Sequence, residues 1–134
     1  MHVMKLLALD FGLKKIGVAI TDDSQQFAFA KDMLVNNEKL FISLNQLIIA
    51  EKVGMIIMGR SPSDEIRKAS EIIAKKIEKY CNIPVLFVDE AYSTKQALDL
   101  PHTLGLKKKQ RQQFDDDSAA AAYILEGYLQ SRLT

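Results

Sequence analysis

The sequence predicts a single α/β domain with a mixed five-stranded sheet, in which a three-strand antiparallel meander is followed by two parallel strands, flanked by helices. Two observations predict this class. Three strand-length apolar segments come early in the chain, with connections too short for a crossover helix. Two later apolar segments each follow a stretch of helical period, which is typical of parallel strands. The 134 residues show no internal repeat and no linker, so we expect one domain spanning residues 1–134.

The meander comes first in the chain. Lys5–Leu9 is an apolar strand, and Ile16–Thr21 is a second strand rich in β-branched residues. Asp10–Lys15 lies between them and is too short for a crossover helix, so the two strands are predicted to form an antiparallel hairpin. Gln25–Lys31 alternates phenylalanine with alanine and predicts the third strand. Asp10 is therefore expected at the open end of a central strand.

Two helices and a strand follow the meander. Asn36–Glu38 offers capping side chains before an apolar pattern of helical spacing, and we expect this helix to end at Val53–Gly54 with glycine as its C-cap. Met55–Met58 is a continuous apolar run that predicts a buried fourth strand. Ser61–Asp64 has the form of a capping box with proline at the first helical position, so the second helix begins there. Its predicted apolar face carries Ile66, Ala69, Ile73, Ile77 and Tyr80.

The last third of the chain alternates apolar and strongly charged segments. Val85–Val88 predicts a fifth strand that ends in Asp89–Glu90, and a short helix is expected over residues 95–100. Residues 105–114 are basic and polar, which predicts a surface loop. A final alanine-rich helix is predicted to begin at Asp115–Asp117, with small residues where it lies on the sheet.

Composition narrows the function classes. The formal net charge is only +1, so a polyanionic partner must be held by local basic clusters instead of a global positive field. Cys81 is the single cysteine, which excludes an internal disulfide and a cysteine-based metal cluster. The apolar run Leu6–Leu9 is too short for a signal sequence or a membrane span, so we expect a cytoplasmic protein with no membrane partner.

Three groups of acidic residues are expected to meet at one edge of the sheet. Right-handed crossovers make strands one, four and five parallel, so Asp10 and Asp89–Glu90 follow strands that open on the same crevice. The first turn of the final helix can bring Asp115–Asp117 there as well. Carboxylates grouped in this way can hold a divalent metal. Two alternatives stay open at this point: Asp10 can instead accept hydrogen bonds from turn amides, and the helix dipole favours acids in a first helical turn.

Three segments resemble the motif blocks of the YqgF/RuvX family. They are LALDFGLKKIGVAITD, VLFVDEAYST and DDDSAAAAYILEGYL, and in this order they span nearly the whole chain. The resemblance implies a ribonuclease H-like fold related to the RuvC resolvases, and a nuclease that acts in maturation of the 5′ end of pre-16S ribosomal RNA. Family members were earlier described as Holliday junction resolvases. Mg²⁺ or Mn²⁺ is the cofactor that such hydrolysis of phosphodiester bonds implies.

The resemblance also implies the site residues. The catalytic and metal-binding acids are then Asp10, Glu90 and Asp117. Strand alternation lets only one of Asp89 and Glu90 enter the crevice, and the resemblance favours Glu90. The family's arginine after this acidic pair is Ala91 here, and Arg60 could replace it. The residues expected to bind the nucleic acid are Lys14, Lys15, Arg60, Lys107, Lys108, Lys109 and Arg111.

Other functions fit the same residues. One is cleavage of branched DNA, the four-way junctions of recombination and repair. Another is a non-catalytic ribosome-assembly factor that binds structured RNA, and such a protein should show no stabilisation by Mg²⁺ or Mn²⁺. Nucleotide phosphotransfer also uses a hairpin with an Asp-x-Gly turn, but 134 residues supply only one of the two lobes that clamp ATP. The sequence leaves the oligomeric state open between a monomer and a weak homodimer.

Overall fold

The computed structural model describes residues 4–89 and 116–132, except the side chains of residues 116 and 117. The strands are β1 (Lys5–Asp10), β2 (Lys15–Thr21), β3 (Ala28–Val35), β4 (Val53–Arg60) and β5 (Val85–Asp89). The helices are α1 (Leu40–Glu51), α2 (Asp64–Cys81) and α3 (Asp116–Ser131). The helix expected over residues 95–100 and the loop expected over residues 105–114 lie outside the described residues. None of the three described helices has the length and apolar character that crossing a membrane requires.

The strands form one mixed sheet in the order β3-β2-β1-β4-β5. β1 pairs antiparallel with β2, and β2 pairs antiparallel with β3, so the predicted meander is confirmed. β4 pairs parallel with β1, and β5 pairs parallel with β4, because a helix precedes each of these strands and returns the chain to the same end of the sheet. β1 is therefore the central strand. The carboxyl ends of β1, β4 and β5 open on one edge, which we call the site edge.

Alternating side chains divide the core into two layers. Leu7 and Leu9 of β1 lie on one side of the sheet, in a cluster with residues of α1 and α2. Leu6 and Ala8 lie on the other side, in a cluster with residues of α3. Ala121 of α3 is fully buried there, and its small side chain lets the helix lie close to the sheet, as the sequence predicts. We refer to these two sides of the sheet as the α1/α2 face and the α3 face.

The third strand begins later than the sequence predicts. Instead of Gln25–Lys31 it spans Ala28–Val35. The Oδ1 atom of Asp22 accepts hydrogen bonds from the backbone N–H groups of Gln26 and Phe27, at 2.9 and 3.1 Å. A side-chain oxygen that binds backbone amides in this way competes with strand pairing. The segment before Ala28 is therefore a turn, and the strand continues four residues beyond its predicted end.

The predicted glycine C-cap of the first helix is wrong. α1 ends at Glu51, and its C-cap is Lys52, which adopts a left-handed φ of 57° so that its N–H binds carbonyl groups of the last turn. Gly54 belongs to β4, where the side chain of Met4 leaves no room for a Cβ atom. Gly54 therefore allows close packing against Met4, and Lys52 takes the left-handed conformation that the prediction gave to glycine.

The predicted capping box at Ser61–Asp64 is also wrong. Ser63 is the N-cap of α2, and the Oγ atom of Ser61 accepts a hydrogen bond from the N–H of Ser63 (3.1 Å), just before the helix. Pro62 therefore precedes the helix instead of occupying its first turn. The predicted apolar face of α2 is confirmed except for Tyr80, whose side chain is exposed.

A charged contact joins the end of α1 to the start of β1. The Oε1 atom of Glu51 lies 2.9 Å from the Nζ atom of Lys5, and the Nζ atom of Lys31 lies 3.5 Å from the Oε2 atom. The hydrogen bond with Lys5 lowers the pKa of Glu51, against a smaller opposing effect of desolvation. A lowered glutamate pKa contributes stability above the ordinary value of about 4.3, and the contribution is lost as the pH falls through the folded-state pKa.

We therefore expect Glu51→Gln to lower the melting temperature near neutral pH, and to have a diminishing effect as the pH falls below about 4. Thermal unfolding followed by circular dichroism across this range measures the effect. Glu38→Gln, at an exposed position before α1, is the matched control. Equal melting temperatures for the wild type and Glu51→Gln at neutral pH would contradict the prediction.

Candidate active site

Asp10 is the last residue of the central strand and is half-buried at the site edge. Leu9 before it and Phe11 after it both pack in the cluster of the α1/α2 face. Because neighbouring residues of a strand point to opposite sides, Asp10 lies on the α3 face. The place predicted for this carboxylate, at the open end of a central strand, is confirmed.

Glycines flank Asp10 on both neighbouring strands. Its antiparallel partner on β2 is Gly17. On β4, Gly59 follows the residue that pairs with Leu9, so the parallel register places it beside Asp10. Neither position adds a side chain next to the carboxylate. A glycine inside a strand often marks a place where a ligand or another backbone approaches closely. The sheet around Asp10 therefore offers an open floor, which we call the glycine floor.

The pairing between β2 and β3 is interrupted at the same level. Ile16 pairs with Leu34 and Val18 pairs with Lys31, so β3 has one residue more than β2 between these two pairs. This extra residue makes a β-bulge opposite Gly17. Bulges are over-represented next to active sites, where they terminate or redirect strand pairing. The β-bulge therefore lies directly beside the glycine floor.

The turn that follows Asp10 is held by Asn36. Its Nδ2 atom donates a hydrogen bond to the carbonyl oxygen of Gly12 (2.9 Å), and its backbone N–H donates to the carbonyl oxygen of Lys14 (2.8 Å). A Cβ atom at Gly12 would clash with the carbonyl oxygen of Lys15, so the turn requires glycine there. These contacts fix the backbone directly after the carboxylate.

The amino end of α3 is fixed at the site edge as well. The hydroxyl of Ser118 is buried, donates to the carbonyl oxygen of Lys31 (2.7 Å) and accepts from the backbone N–H of Val18 (3.5 Å). At the other end of the helix, Arg132 donates a hydrogen bond to Gln25 in the β2–β3 turn. α3 therefore begins at the site edge and runs away from it across the α3 face.

This orientation brings the backbone positions of Asp116 and Asp117 to the edge that carries Asp10. The side chains of these two residues, and the whole of Asp115, lie outside the described part of the chain. Asp117 as a metal ligand stays a prediction. The topology supplies what that prediction needs, because the helix begins on the same face and at the same edge as the first acid.

Asp89 lies on the opposite side of the sheet from Asp10. Phe87 packs against the cluster of the α1/α2 face and Val88 packs against the cluster of the α3 face. Alternation then puts Asp89, an exposed residue, on the α1/α2 face. Glu90 is not among the described residues, so its role as the second acid stays a prediction.

The structure describes three of the cations expected to bind nucleic acid. Lys15 is exposed and alternates onto the α3 face, which is the face of Asp10. Lys14 is exposed in the turn. The guanidinium of Arg60 lies over the ring of Phe87, 5.9 Å from the ring centroid, on the α1/α2 face. The structure thus brings Lys15 to the face of Asp10 and keeps Arg60 on the other. The remaining predicted contacts, Lys107, Lys108, Lys109 and Arg111, lie outside the described residues.

Within residues 4–89 and 116–132, no three Asp, Glu, His or Cys side chains are grouped closely enough to hold a metal ion. That part of the chain includes the side chain of only one predicted ligand, Asp10. The predicted set of three carboxylates supplies the hard oxygen donors that Mg²⁺ and Mn²⁺ prefer. A half-buried carboxylate beside the glycine floor fits a site that must take up an ion together with a substrate.

Sequence reasoning missed three residues that shape this site. Gly17 and Gly59 carried a signal, because an isolated glycine inside a strand pattern suggests a close approach or a bulge. Ser118 carried none, since its hydroxyl binds backbone groups 100 and 87 residues away in the chain. A hydrogen bond of that sequence separation is visible only once the helix is placed on the sheet.

The sheet order and the placement of Asp10 at the end of the central strand define a protein of ribonuclease H-like fold. The structure of Thermus thermophilus RuvC in complex with a Holliday junction aligns with a TM-score of 0.67 at 14% identity, covering 97% of this chain and 96% of that chain. The fowlpox virus resolvase in complex with Holliday junction DNA aligns with a TM-score of 0.59 at 12% identity, covering 98% and 100%. Likeness at such low identity establishes the fold alone, and it confirms the ribonuclease H-like prediction.

The chain belongs to the RuvX family. Residues 4–131 match the family model described as "RuvX: Holliday junction resolvase". A relative from Dictyoglomus turgidum is 33% identical over 135 residues, covering 96% of this chain and 95% of the relative. A relative from Maridesulfovibrio salexigens is 34% identical over 115 residues, covering 81% and 85%. Both relatives carry the name "Putative pre-16S rRNA nuclease". The resemblance indicated by the three motif blocks is thereby confirmed.

Proposed function

We propose that this protein is a metal-dependent nuclease that hydrolyses phosphodiester bonds, in processing of the 5′ end of pre-16S ribosomal RNA. The observation that carries the proposal is the half-buried Asp10 at the end of the central strand, beside the glycine floor on the α3 face. The names of its relatives supply the substrate class. Because the proposed substrate is ribosomal RNA, we expect the protein to act in the cytoplasm.

Asp10, Glu90 and Asp117 would together hold Mg²⁺ or Mn²⁺. When bound, the ion lowers the pKa of a water molecule and neutralises negative charge on the phosphoryl oxygens. Three neighbouring carboxylates repel one another in the ionised state, so the empty site favours uptake of a cation. The contacts of Asn36 with Gly12 and Lys14 hold the backbone directly after the first carboxylate.

The glycine floor is where the reacting phosphate would lie. Gly17 and Gly59 carry no side chain, so a sugar–phosphate backbone can approach the main chain beside Asp10. Lys15, on the same face, would contact a neighbouring phosphate, and the basic segment Lys107–Arg111 would hold further phosphates without reading their sequence. Arg60 stacks on the other side of the sheet, so we assign it no contact with the reacting phosphate.

A second candidate function is cleavage of four-way DNA junctions. The observation in its favour is the likeness over nearly the whole chain to two resolvases whose structures contain a Holliday junction. Both substrates place a phosphodiester bond at a carboxylate site, so the fold alone does not choose between them. The names of the relatives favour RNA.

One cleavage assay separates these candidates. We expect the protein to cleave a precursor 16S RNA fragment that carries its 5′ leader in the presence of Mn²⁺ or Mg²⁺, and to leave it intact with a chelator. A synthetic four-way DNA junction, tested at the same concentrations, should remain uncleaved. Labelled strands on denaturing gels measure both reactions. Cleavage of the junction alone would replace the proposal by the resolvase function, and cleavage of neither substrate would indicate a binding protein.

A further inference from the structure

A groove between α1 and α2 lies on the opposite side of the sheet from Asp10. Its volume is about 480 Å³, and Phe41, Lys76, Lys79 and Tyr80 line it. Phe41 belongs to the first turn of α1 and Tyr80 to the last turn of α2, with their ring centroids 5.8 Å apart and their planes inclined at 45°. Tyr80 remains 59% exposed, so much of its surface is available to a ligand.

One side of α2 carries an exposed residue, Ile72, one turn before the groove. Ile72 lies four residues before Lys76, and Lys79 and Tyr80 lie three and four residues after it, which makes each of them a neighbour of Lys76 on the helix surface. Ile72 is 57% exposed, whereas Ile77 on another side of α2 is fully buried in the core. Neither Ile72 nor Tyr80 belongs to the core cluster of this face, so their exposed apolar surface is available to a ligand.

The charge of the groove selects the kind of occupant. Both charged residues that line it are lysines, and none of the ion pairs found within residues 4–89 and 116–132 involves either of them. The carboxylate of Glu78, next to them in the helix, accepts a hydrogen bond from the backbone N–H of Val85 (3.1 Å). Two exposed lysines make the groove complementary to a negatively charged partner and not to a purely apolar one. A polyanion that also carries flat apolar groups would satisfy both the rings and the charges.

We propose that this groove binds an unpaired segment of the RNA substrate, with a base stacked on Tyr80 and flanking phosphates at Lys76 and Lys79. Proteins that bind single strands combine aromatic stacking platforms with a positively charged path for the backbone. Cavities of roughly 300–1,000 Å³ take up small organic ligands, so the groove has room for one nucleotide. The inference rests on the proposed function for its substrate class, but the surface is separate, because Asp10 lies on the α3 face.

The test uses the full-length chain with Asp10→Asn, so that RNA is bound and not cleaved. Fluorescence anisotropy compares a labelled RNA hairpin that carries an unpaired flank with the same hairpin ending bluntly. We expect Tyr80→Ala to weaken binding of the flanked hairpin by about 5- to 150-fold, the range for loss of one stacked base. Tyr80→Phe keeps the ring and should restore binding. Neither change should alter affinity for the blunt hairpin.

The lysines give an independent readout. Lys76→Ala combined with Lys79→Ala should reduce the slope of log affinity against log salt by about 1.4, which is about 0.7 for each phosphate contact of a single strand. Lys68→Ala is the matched control, because Lys68 is exposed on the same helix two turns before the groove. It should leave the slope unchanged. Circular dichroism melting checks that each variant is folded.

The outcomes separate this inference from the proposed function. Equal affinity of Tyr80→Ala and its parent for the flanked hairpin overturns the groove proposal, whatever the cleavage assay shows. So does a parent that binds both hairpins equally. A third outcome is that Tyr80→Ala sediments with a lower molar mass than its parent while its affinity for RNA is unchanged. This outcome also overturns the groove proposal, because it assigns the groove to a second copy of the chain. Binding that depends on Tyr80, in a protein that cleaves no RNA, supports the groove and overturns the nuclease.

Discussion

Asp10→Asn is expected to abolish metal-dependent cleavage of RNA while leaving the fold intact. The amide keeps the shape of the side chain and loses the charge that a divalent metal requires. Altering only an outer-shell partner of a metal ligand already costs roughly 10- to 100-fold, so loss of the ligand itself should exceed that range. Initial rates of cleavage with Mn²⁺ measure the effect, and titration calorimetry with Mn²⁺ gives a readout that needs no substrate.

The matched control is Asp23→Asn. Asp23 lies in the β2–β3 turn with its side chain 81% exposed, so the variant removes one negative charge far from the site edge. It should keep the wild-type rate and the wild-type Mn²⁺ affinity. If Asp10→Asn cleaved RNA within about twofold of the wild-type rate, Asp10 would have no place in the active site.

Glu90→Gln is expected to eliminate cleavage, and Asp89→Asn is expected to preserve it. Asp89 pairs in register with Arg60 and lies on the α1/α2 face. The next position along an extended strand falls on the other face, which is the face of Asp10. Each substitution removes one negative charge, and the two residues are adjacent in the chain. A difference in cleavage between the two variants therefore reports which carboxylate is placed in the site.

Cleavage rates and melting temperatures of the two variants measure this difference. Asp89→Asn should unfold in one cooperative transition, so that its cleavage rate is that of a folded protein. Glu90→Gln should unfold close to the wild-type temperature, which shows that its effect on cleavage is not a loss of structure. Loss of cleavage in Asp89→Asn alone would make Asp89 the ligand.

The strand directions and the place of Asp10 could be predicted from the sequence because both depend on local signals. A six-residue connection excludes a crossover helix, and a helical segment before an apolar run indicates a parallel strand. These two facts fix the directions of β1, β2, β4 and β5 relative to one another. They also put the first acid at the end of the central strand, before any contact is known.

Element boundaries were less predictable because they depend on single side chains and single dihedral angles. The start of β3 is set by the carboxylate of Asp22, which binds two backbone amides that a strand would otherwise use. The end of α1 is set by a left-handed Lys52, a conformation for which glycine is the usual residue. The N-cap of α2 is Ser63, although Ser61 offered the better sequence pattern.

The composition of the site was the least predictable part. Whether Arg60 reaches the face of Asp10 depends on strand alternation counted from the core, and the count places its guanidinium over Phe87 instead. Gly17 and Gly59 become neighbours of Asp10 only through the register of three strands. Register is a property of pairs of segments, so one segment read alone does not contain it.

The glycine floor also limits how this protein can be stabilised. Glycine inside a strand costs roughly 0.5–1 kcal/mol relative to alanine, and this chain has two of them beside Asp10. A directed-evolution screen for heat resistance would therefore favour β-branched replacements of Gly17 and Gly59. Each replacement would add a side chain next to Asp10, where substrate must approach. Heat-resistant variants that remain active should instead carry their changes elsewhere, such as at Ile49 of α1, whose side chain is 68% exposed and does not line the groove.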